Sequence, residues 1–269
     1  MCVTDCRGRE CGVDFNCGIS CGTCSGCQTC VDGFCQDPDF GLEWIPIPGG
    51  SFEMGSDAGD ANEQPIHQVS VEAFEMNATE ITVAQYRRCV DETLCSEPGT
   101  GYECNWQFHD RDAHPMNCVT WEQAARFCTC AGGGLPSEAA WEYAARGAGE
   151  QRTYPWGEEE ASCDLAMMFQ GQMGCGSPST APVCSRVQGK SAQGLCDMAG
   201  NVWEWVQDWY HPSYQGAPDD GSAWEAGGSF SRVIRGGSLY SSPYELRTSF
   251  RNLAPPTSEQ QAFGFRCSR

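Results

Sequence analysis

Cys21, Cys24, Cys27 and Cys30 follow one another at C-x-x-C steps, a spacing that either ligates zinc or seeds a disulfide knot. They belong to a run of nine cysteines in residues 2–35, and the whole chain of 269 residues carries 20. That usage exceeds what a reducing cytosol favours, so disulfides and an exported, oxidising location are the preferred reading. The four histidines include no pair at zinc-site spacing. A second set of chemically able side chains lies where sulfur is missing, for no cysteine falls between Cys196 and Cys267. There "RGGSLYSSPYELRTSFR" offers Tyr240, Ser241, Ser242, Tyr244, Glu245, Arg247 and Arg251, preceded by Trp203 and Trp205. Aromatic faces beside fixed hydrogen-bonding groups suit recognition of a peptide, a glycan or a protein surface. The two tryptophans read first as core packing, with Trp203 kept as a groove candidate, and Tyr240 and Ser241 as the exposed groove residues. "GGSLYSS" lacks the G-x-S-x-G pattern of a nucleophile elbow, and no other catalytic constellation stands out.

Charge narrows the partners. The chain has 36 acidic and 16 basic residues, a formal charge of −20, which repels nucleic acid and anionic membranes and favours cations. No apolar run approaches the roughly 18 residues that a membrane helix needs, so no membrane span is expected. Met1-Cys2 is followed at once by polar, cysteine-rich sequence. The chain therefore reads as trimmed of a leader, and Cys2 is a candidate lipid-modified anchor.

The elements that must position these groups divide near residue 40. Residues 1–40 have almost no apolar periodicity and read as a segment stapled by disulfides. Residues 41–269 read as an α+β domain rich in glycine, tryptophan and loops. Thr82-x-x-Gln85 and Thr120-x-x-Gln123 are capping boxes that predict helices over 83–91 and 121–131. "PSEAAWEYAARG" predicts a third, with Glu138 and Glu142 near its positive end, Arg146 at its negative end and Gly147 closing it. "QVSVEAFEM" and "SRVIRGGS" are β-prone. Sequence neighbours suggest short-loop bridges Cys89–Cys95, Cys104–Cys118, Cys163–Cys175 and Cys184–Cys196. Cys128 and Cys130 point to different sides of one predicted helix, so one of them must reach far. A bridge from Cys128 to Cys267 would tie the first helical half to the chain end. Cys130 and one amino-terminal cysteine would then be left to pair and dock the two parts together.

Eight stretches in order, "IPGGSFEMGS", "ATEITVAQYRRCV", "HPMNCVTWEQAARFC", "GLPSEAAWEYAARG", "TYPWG", "GLCDMAGNVWEWVQDWY", "RVIRGGS" and "AFGFRCSR", resemble the formylglycine-generating enzyme family, the sulfatase-modifying-factor domain, over residues 42–269. The cysteine-rich start more loosely resembles leaders of secreted bacterial proteins. The resemblance implies a C-type-lectin-like fold with little regular secondary structure and a bridge between Cys128 and Cys267. It further implies a calcium ion held by Asp197, the Gly200 and Val202 carbonyls and Glu204, whose two carboxylates converge only if the glycine-containing turn between them loops. A second calcium site would use Asp164 and the Leu165 carbonyl, with its partner aspartate replaced near Cys175. The groove of the family lies at residues 239–263, which assigns Tyr240, Ser241, Ser242, Tyr244 and Arg247 to its mouth. The family's oxidases turn a substrate cysteine into formylglycine with copper bound by a cysteine pair. Here those positions fall on Ser241 and within Pro243–Leu246, and neither is cysteine. Cu(I) is soft and wants thiolates, so copper is not expected. The expectation is a secreted or surface-attached, non-catalytic domain for binding or extracellular assembly, including self-assembly at a cell surface. The alternative is a copper-dependent oxidase, or another metal-dependent oxidoreductase on the same fold.

Overall fold

Thr82, Thr120 and Ser137 each start a helix with a side-chain oxygen. Thr82 Oγ1 accepts from the Gln85 N–H at 3.2 Å while Gln85 Oε1 accepts from the Thr82 N–H at 2.9 Å. Thr120 and Gln123 repeat the reciprocal pair at 3.2 and 2.9 Å, so two donors that a helix start leaves orphaned are satisfied each time. Ser137 accepts from the Ala140 N–H at 3.0 Å. The computed structural model, which describes residues 10–13 and 20–269, has these helices at Val83–Asp91 (α1), Trp121–Cys130 (α2) and Glu138–Ala145 (α3). Cys2, Cys6 and Cys17, and with them the expected anchor, lie outside the described residues.

Strands are short, as a glycine- and turn-rich chain dictates. Gly12–Val13 (β1) pairs antiparallel with Ser20–Gly22 (β2), and Thr29–Val31 (β3) with Phe34–Gln36 (β4). Trp44–Ile47 (β5) and Gly50–Met54 (β6) pair with Phe74–Asn77 (β8) and His67–Val71 (β7) respectively. The largest sheet takes Trp203–Trp209 (β9), Arg232–Arg235 (β10), Arg251–Ala254 (β11) and Phe263–Gly264 (β12) in the order β11–β10–β9–β12. All its pairs are antiparallel except β12 with β9. The architecture is α+β with little regular secondary structure, and among the described residues no helix is long and apolar enough to cross a membrane.

Two apolar clusters flank that sheet. One joins α1 and α2 to it through Tyr86, Phe127, Trp205, Ile234 and Phe265, with the Tyr86 and Phe127 rings stacked at 5.7 Å. The other packs Trp141 and Tyr143 of α3 between Phe52 and Val69 on one side and Val206 and Val233 on the other. Disulfides close the loops: Cys89–Cys95, Cys104–Cys118, Cys163–Cys175 and Cys184–Cys196 lie 6 to 14 residues apart, and Cys128 bonds Cys267 across 139. In the first segment Cys11 bonds Cys30 and Cys24 bonds Cys35, while Cys27 reaches Cys130 at the end of α2. No described cysteine is free.

Candidate functional site

β10 ends at Arg235 and delivers a Gly236-Gly237 turn with φ of 88° and 77°. A Cβ on Gly237 would stand 2.5 Å from the Leu246 side chain, so only glycine lets the turn close on the helix behind it. The turn delivers Ser241 inward. Its hydroxyl accepts from the Ser238 N–H at 3.1 Å, its N–H donates to Ser238 O at 2.9 Å, and its carbonyl accepts from the Phe169 N–H at 2.9 Å. At 2% exposure Ser241 is a structural residue, which corrects its placement in an open groove. Trp203 is core packing, as first read, and only its candidacy for the groove is set aside: it is 6% exposed and packs against Phe250 at 6.0 Å. Alternation is lost over Trp203–Val206, the half of β9 that is covered on both faces, so an aromatic there has no solvent side.

The other groove candidates reach the surface. Tyr240 is half-buried and donates to Glu103 Oε2 at 3.0 Å, and burial together with Glu103 raises the phenol pKa above its ordinary value. Ser242 precedes the one-turn helix Pro243–Leu246 and donates its N–H and its hydroxyl to Glu245 Oε2 at 2.8 and 3.0 Å. Tyr244 is exposed and donates to Asp60 Oδ1 at 2.8 Å. Arg247 lies over the Tyr244 ring at 4.1 Å and grips Glu63 with two bonds of 2.8 and 3.0 Å. Burial pushes the Glu63 carboxyl up, but hydrogen bonds from Arg247 and the Asp60 N–H outweigh it and hold the group below its ordinary value.

What fixes this wall is a buried ionic lattice that the sequence did not announce. Seven of the eight α3 residues are buried, Glu138 and Glu142 among them, so both carboxylates need internal partners. Glu138 takes two bonds from Arg251, at 2.8 and 2.5 Å, and a third from the Tyr214 hydroxyl at 3.2 Å. Glu142 pairs with Arg235 and with Arg146 at 2.9 Å, and accepts the Gly55 N–H at 2.9 Å. Arg235 also donates to the Thr248, Ser249 and Phe250 carbonyls, so one guanidinium ties the groove segment to α3. Glu138 and Glu142, expected to act on the helix dipole, act as counter-ions of the groove. A helix without a polar face was the available signal.

The "CDMAGNVWEW" turn loops as the converging carboxylates require. Asp197, Gly200 and Asn201 take φ of 54°, 85° and 61°, and a Cβ on Gly200 would meet the Met167 carbonyl at 2.4 Å. Glu204 Oε2 accepts from Trp141 Nε1 at 2.8 Å and Arg266 Nε at 2.7 Å, and Oε1 from Arg266 Nη2 at 2.7 Å. Asp197 Oδ2 accepts the Cys184 N–H at 2.5 Å. Asp197 Oδ1 takes no hydrogen bond from a described residue. Buried Glu80 stands near both, holding the Asn201 amide and the Val202 N–H at 2.7 and 3.1 Å. Of these three buried carboxylates Glu204 alone is ion-paired with Arg266, and Asp197 also feels the charge of Arg186. Burial, then the Asp197 and Glu204 charges, raises the Glu80 pKa, and burial raises that of Asp197. The three acids do not bring their oxygens within 4.8 Å of one another, so a cation here would rely on the intervening carbonyls. Asp197 and Glu204 are hard oxygen donors of the kind calcium takes, but both Glu204 oxygens are held by Arg266 and Trp141, which leaves Asp197 Oδ1 and the Gly200 and Val202 carbonyls as the donors a cation would draw on first. In the second expected calcium set Asp164 is exposed, Cys175 is bonded to Cys163, and Gly189 packs against the Leu165 carbonyl. Copper does not fit either, because Ser241 and the Pro243–Leu246 turn supply no thiolate.

An α+β scaffold with this glycine turn, this acidic loop and a Cys128–Cys267 bridge defines the formylglycine-generating-enzyme fold. A family model described as "Sulfatase-modifying factor enzyme 1-like domain" matches residues 36–269, so the chain belongs to that family. The formylglycine-generating enzyme of Streptomyces coelicolor is 30% identical over 83% of this chain and 88% of its own length. Serine/threonine-protein kinase Pkn1 of Chlamydia trachomatis is 33% identical over 84% of this chain, which spans 38% of that relative. Among solved structures, PvdO from Pseudomonas aeruginosa superposes with a TM-score of 0.74 at 28% identity, covering 87% of this chain and 96% of that one.

Proposed function

We propose that this chain is a non-catalytic member of the family, exported to an oxidising compartment and used there, free or surface-attached, for binding or extracellular assembly. One observation carries the reading. Where the family resemblance requires the first copper-binding cysteine, Ser241 is buried with its hydroxyl already held by the Ser238 N–H. The second position falls within Pro243–Leu246, a turn without sulfur. A hydroxyl is a poor ligand for Cu(I), so the oxidase chemistry has no anchor. The ligand, a peptide, glycan or protein, would meet Tyr240, Tyr244 and Arg247. Residues 1–40 would form a separate stapled unit, pinned to α2 by Cys27–Cys130. Cu(I) titration with oxygen-uptake measurement on a cysteine-containing peptide tests the reading. Neither stoichiometric binding nor uptake is expected, and a one-to-one copper complex with uptake overturns it.

The clustering of the Asp197 and Glu204 carboxylates around a looped, carbonyl-bearing turn supports a structural calcium ion at Asp197, Gly200, Val202 and Glu204. Chelation should lower the melting temperature and added calcium restore it. An unchanged melting temperature removes the ion from the account.

A further inference from the structure

Beside the groove lies a cavity of about 410 Å³ whose chemistry runs against the rest of the chain. It opens between the Gly55–Ser56 turn, the end of α3 and residues 244–249. Arg146, Arg152 and Arg247 line it, three of only 16 basic residues, together with Ser56 and with Thr153, whose hydroxyl is donated to Glu158 at 2.6 Å. In a chain with 36 acidic residues, none among those described lines this wall. Buried Glu142 holds Arg146 at 2.9 Å and buried Glu63 holds Arg247 at 2.8 Å, while Arg152 pairs at 2.7 Å with the exposed Glu150.

These pairings fix the forks without using them up. Arg146 is 5% exposed, donates to Gln151, Gly55 and Glu142, and keeps an Nε with no partner. That Nε is sealed inside the protein, so Arg146 contributes to the cavity mainly its positive charge. Arg152 uses Nε on Glu150 and Nη1 weakly on Pro155 O at 3.5 Å, which leaves Nη2 unengaged among the described residues. Arg247 spends its Nε on Tyr244 O and its Nη atoms on Glu63 and Ser249, and one Nη2 proton remains. The exposed Tyr244 and Ile66 add an apolar side to the same cavity.

We propose that this cavity recognises an oxyanion, a carboxylate, sulfate or phosphate group, carried by a ligand large enough to cover Tyr244 and Ile66. The forked, pre-oriented guanidiniums match such groups, and the volume lies in the range of small-ligand sites. The field of a −20 chain opposes an approaching anion, so an acid-free wall with three arginines has a selective role that a merely solvated surface would not need. This assignment names the ligand class of the proposed binding groove and rests on that reading.

Isothermal titration of the intact protein with sodium sulfate, phosphate and acetate, at one ionic strength set with chloride, tests it. At least one anion should bind saturably at one site, with acetate preferred for a carboxylate ligand and sulfate or phosphate preferred for an ester. Arg152→Gln, at a partly exposed position, should weaken that binding about tenfold, and Arg87→Gln on α1 should leave it unchanged. Should Arg152→Gln fail to fold, Ser56→Ala is expected to weaken binding about threefold through its lost hydroxyl. No saturable binding by the folded wild type, or binding indifferent to these variants, overturns the proposal. Copper binding with oxygen uptake would instead overturn the non-catalytic reading and leave the oxyanion site standing.

Discussion

Of residues 20–40 only Phe40 is buried, whereas α3 alone buries seven of its eight residues. The two regions hold loop-rich backbone in place by different means. In the first, strands of two or three residues are crosslinked by Cys11–Cys30 and Cys24–Cys35 and tethered by Cys27–Cys130. In the second, aromatic clusters enclose a lattice of arginines and glutamates that is satisfied bond by bond. Covalent closure suffices where no core exists, and internal ion pairs serve where carbonyl-rich loops must be gripped from inside.

Removing the long bridge should have the largest effect. Cys128→Ala with Cys267→Ala opens a loop of 139 residues, and the chain-entropy model puts the loss at about 4–5 kcal/mol in denaturant unfolding. Glu138→Gln comes next, since it leaves Arg251 and Arg235 buried without their full counter-charge. A loss of about 3–4 kcal/mol is expected, and less than 1 would show that the lattice is dispensable. Cys27→Ser with Cys130→Ser should cost the large region only about 1 kcal/mol while opening residues 20–40 to limited proteolysis. Equal loss in both regions would erase the contrast between them. Acidity reads the lattice in another way. Asp208 is wholly buried, accepts the Glu138 and Trp224 N–H groups at 2.7 Å each, and has its pKa raised from 3.8 to about 7, chiefly by burial and then by Glu138. The folded state therefore keeps a proton that the unfolded chain has released between about pH 4 and 7. Its contribution to stability is full below that window and lost as pH rises through it. Melting temperature should fall across the window in the wild type, and Asp208→Asn should flatten that slope. The smallest effect belongs to the exposed pair Glu75–Arg269, where Glu75→Gln should change stability by less than about 0.5 kcal/mol.

Local signals were the legible ones. The boundaries of α1 and α2 follow from capping boxes four residues long, and the short bridges from cysteines that are neighbours in sequence. The leftover Cys130 pointed to the amino-terminal segment without saying which cysteine would meet it, and the structure makes it Cys27. Ser241, and Trp203 as a groove candidate, were misplaced because burial is settled by what folds over a residue, here Phe169 and its loop and the Phe250 ring. The lattice escaped for the same reason. Arg251 lies 113 residues from Glu138 and Arg235 lies 93 from Glu142, distances at which no periodicity survives. Of the candidate site, Tyr240, Tyr244 and Arg247 were legible as surface chemistry, while Arg146 and Arg152 were not, since nothing in the sequence brings them to one cavity.

Phe265 enters the first apolar cluster, Arg266 grips Glu204 and Cys267 bonds Cys128, so three consecutive residues from the end of the sequence complete the interior. A ribosome makes them after everything they touch. Until they emerge, Glu204 lacks its guanidinium and Cys128 is a lone thiol. The interior around Glu204 and Cys128 therefore closes only once residues 265–267 are in place, and the 139-residue loop is the last of the described bridges to find its partner in chain order.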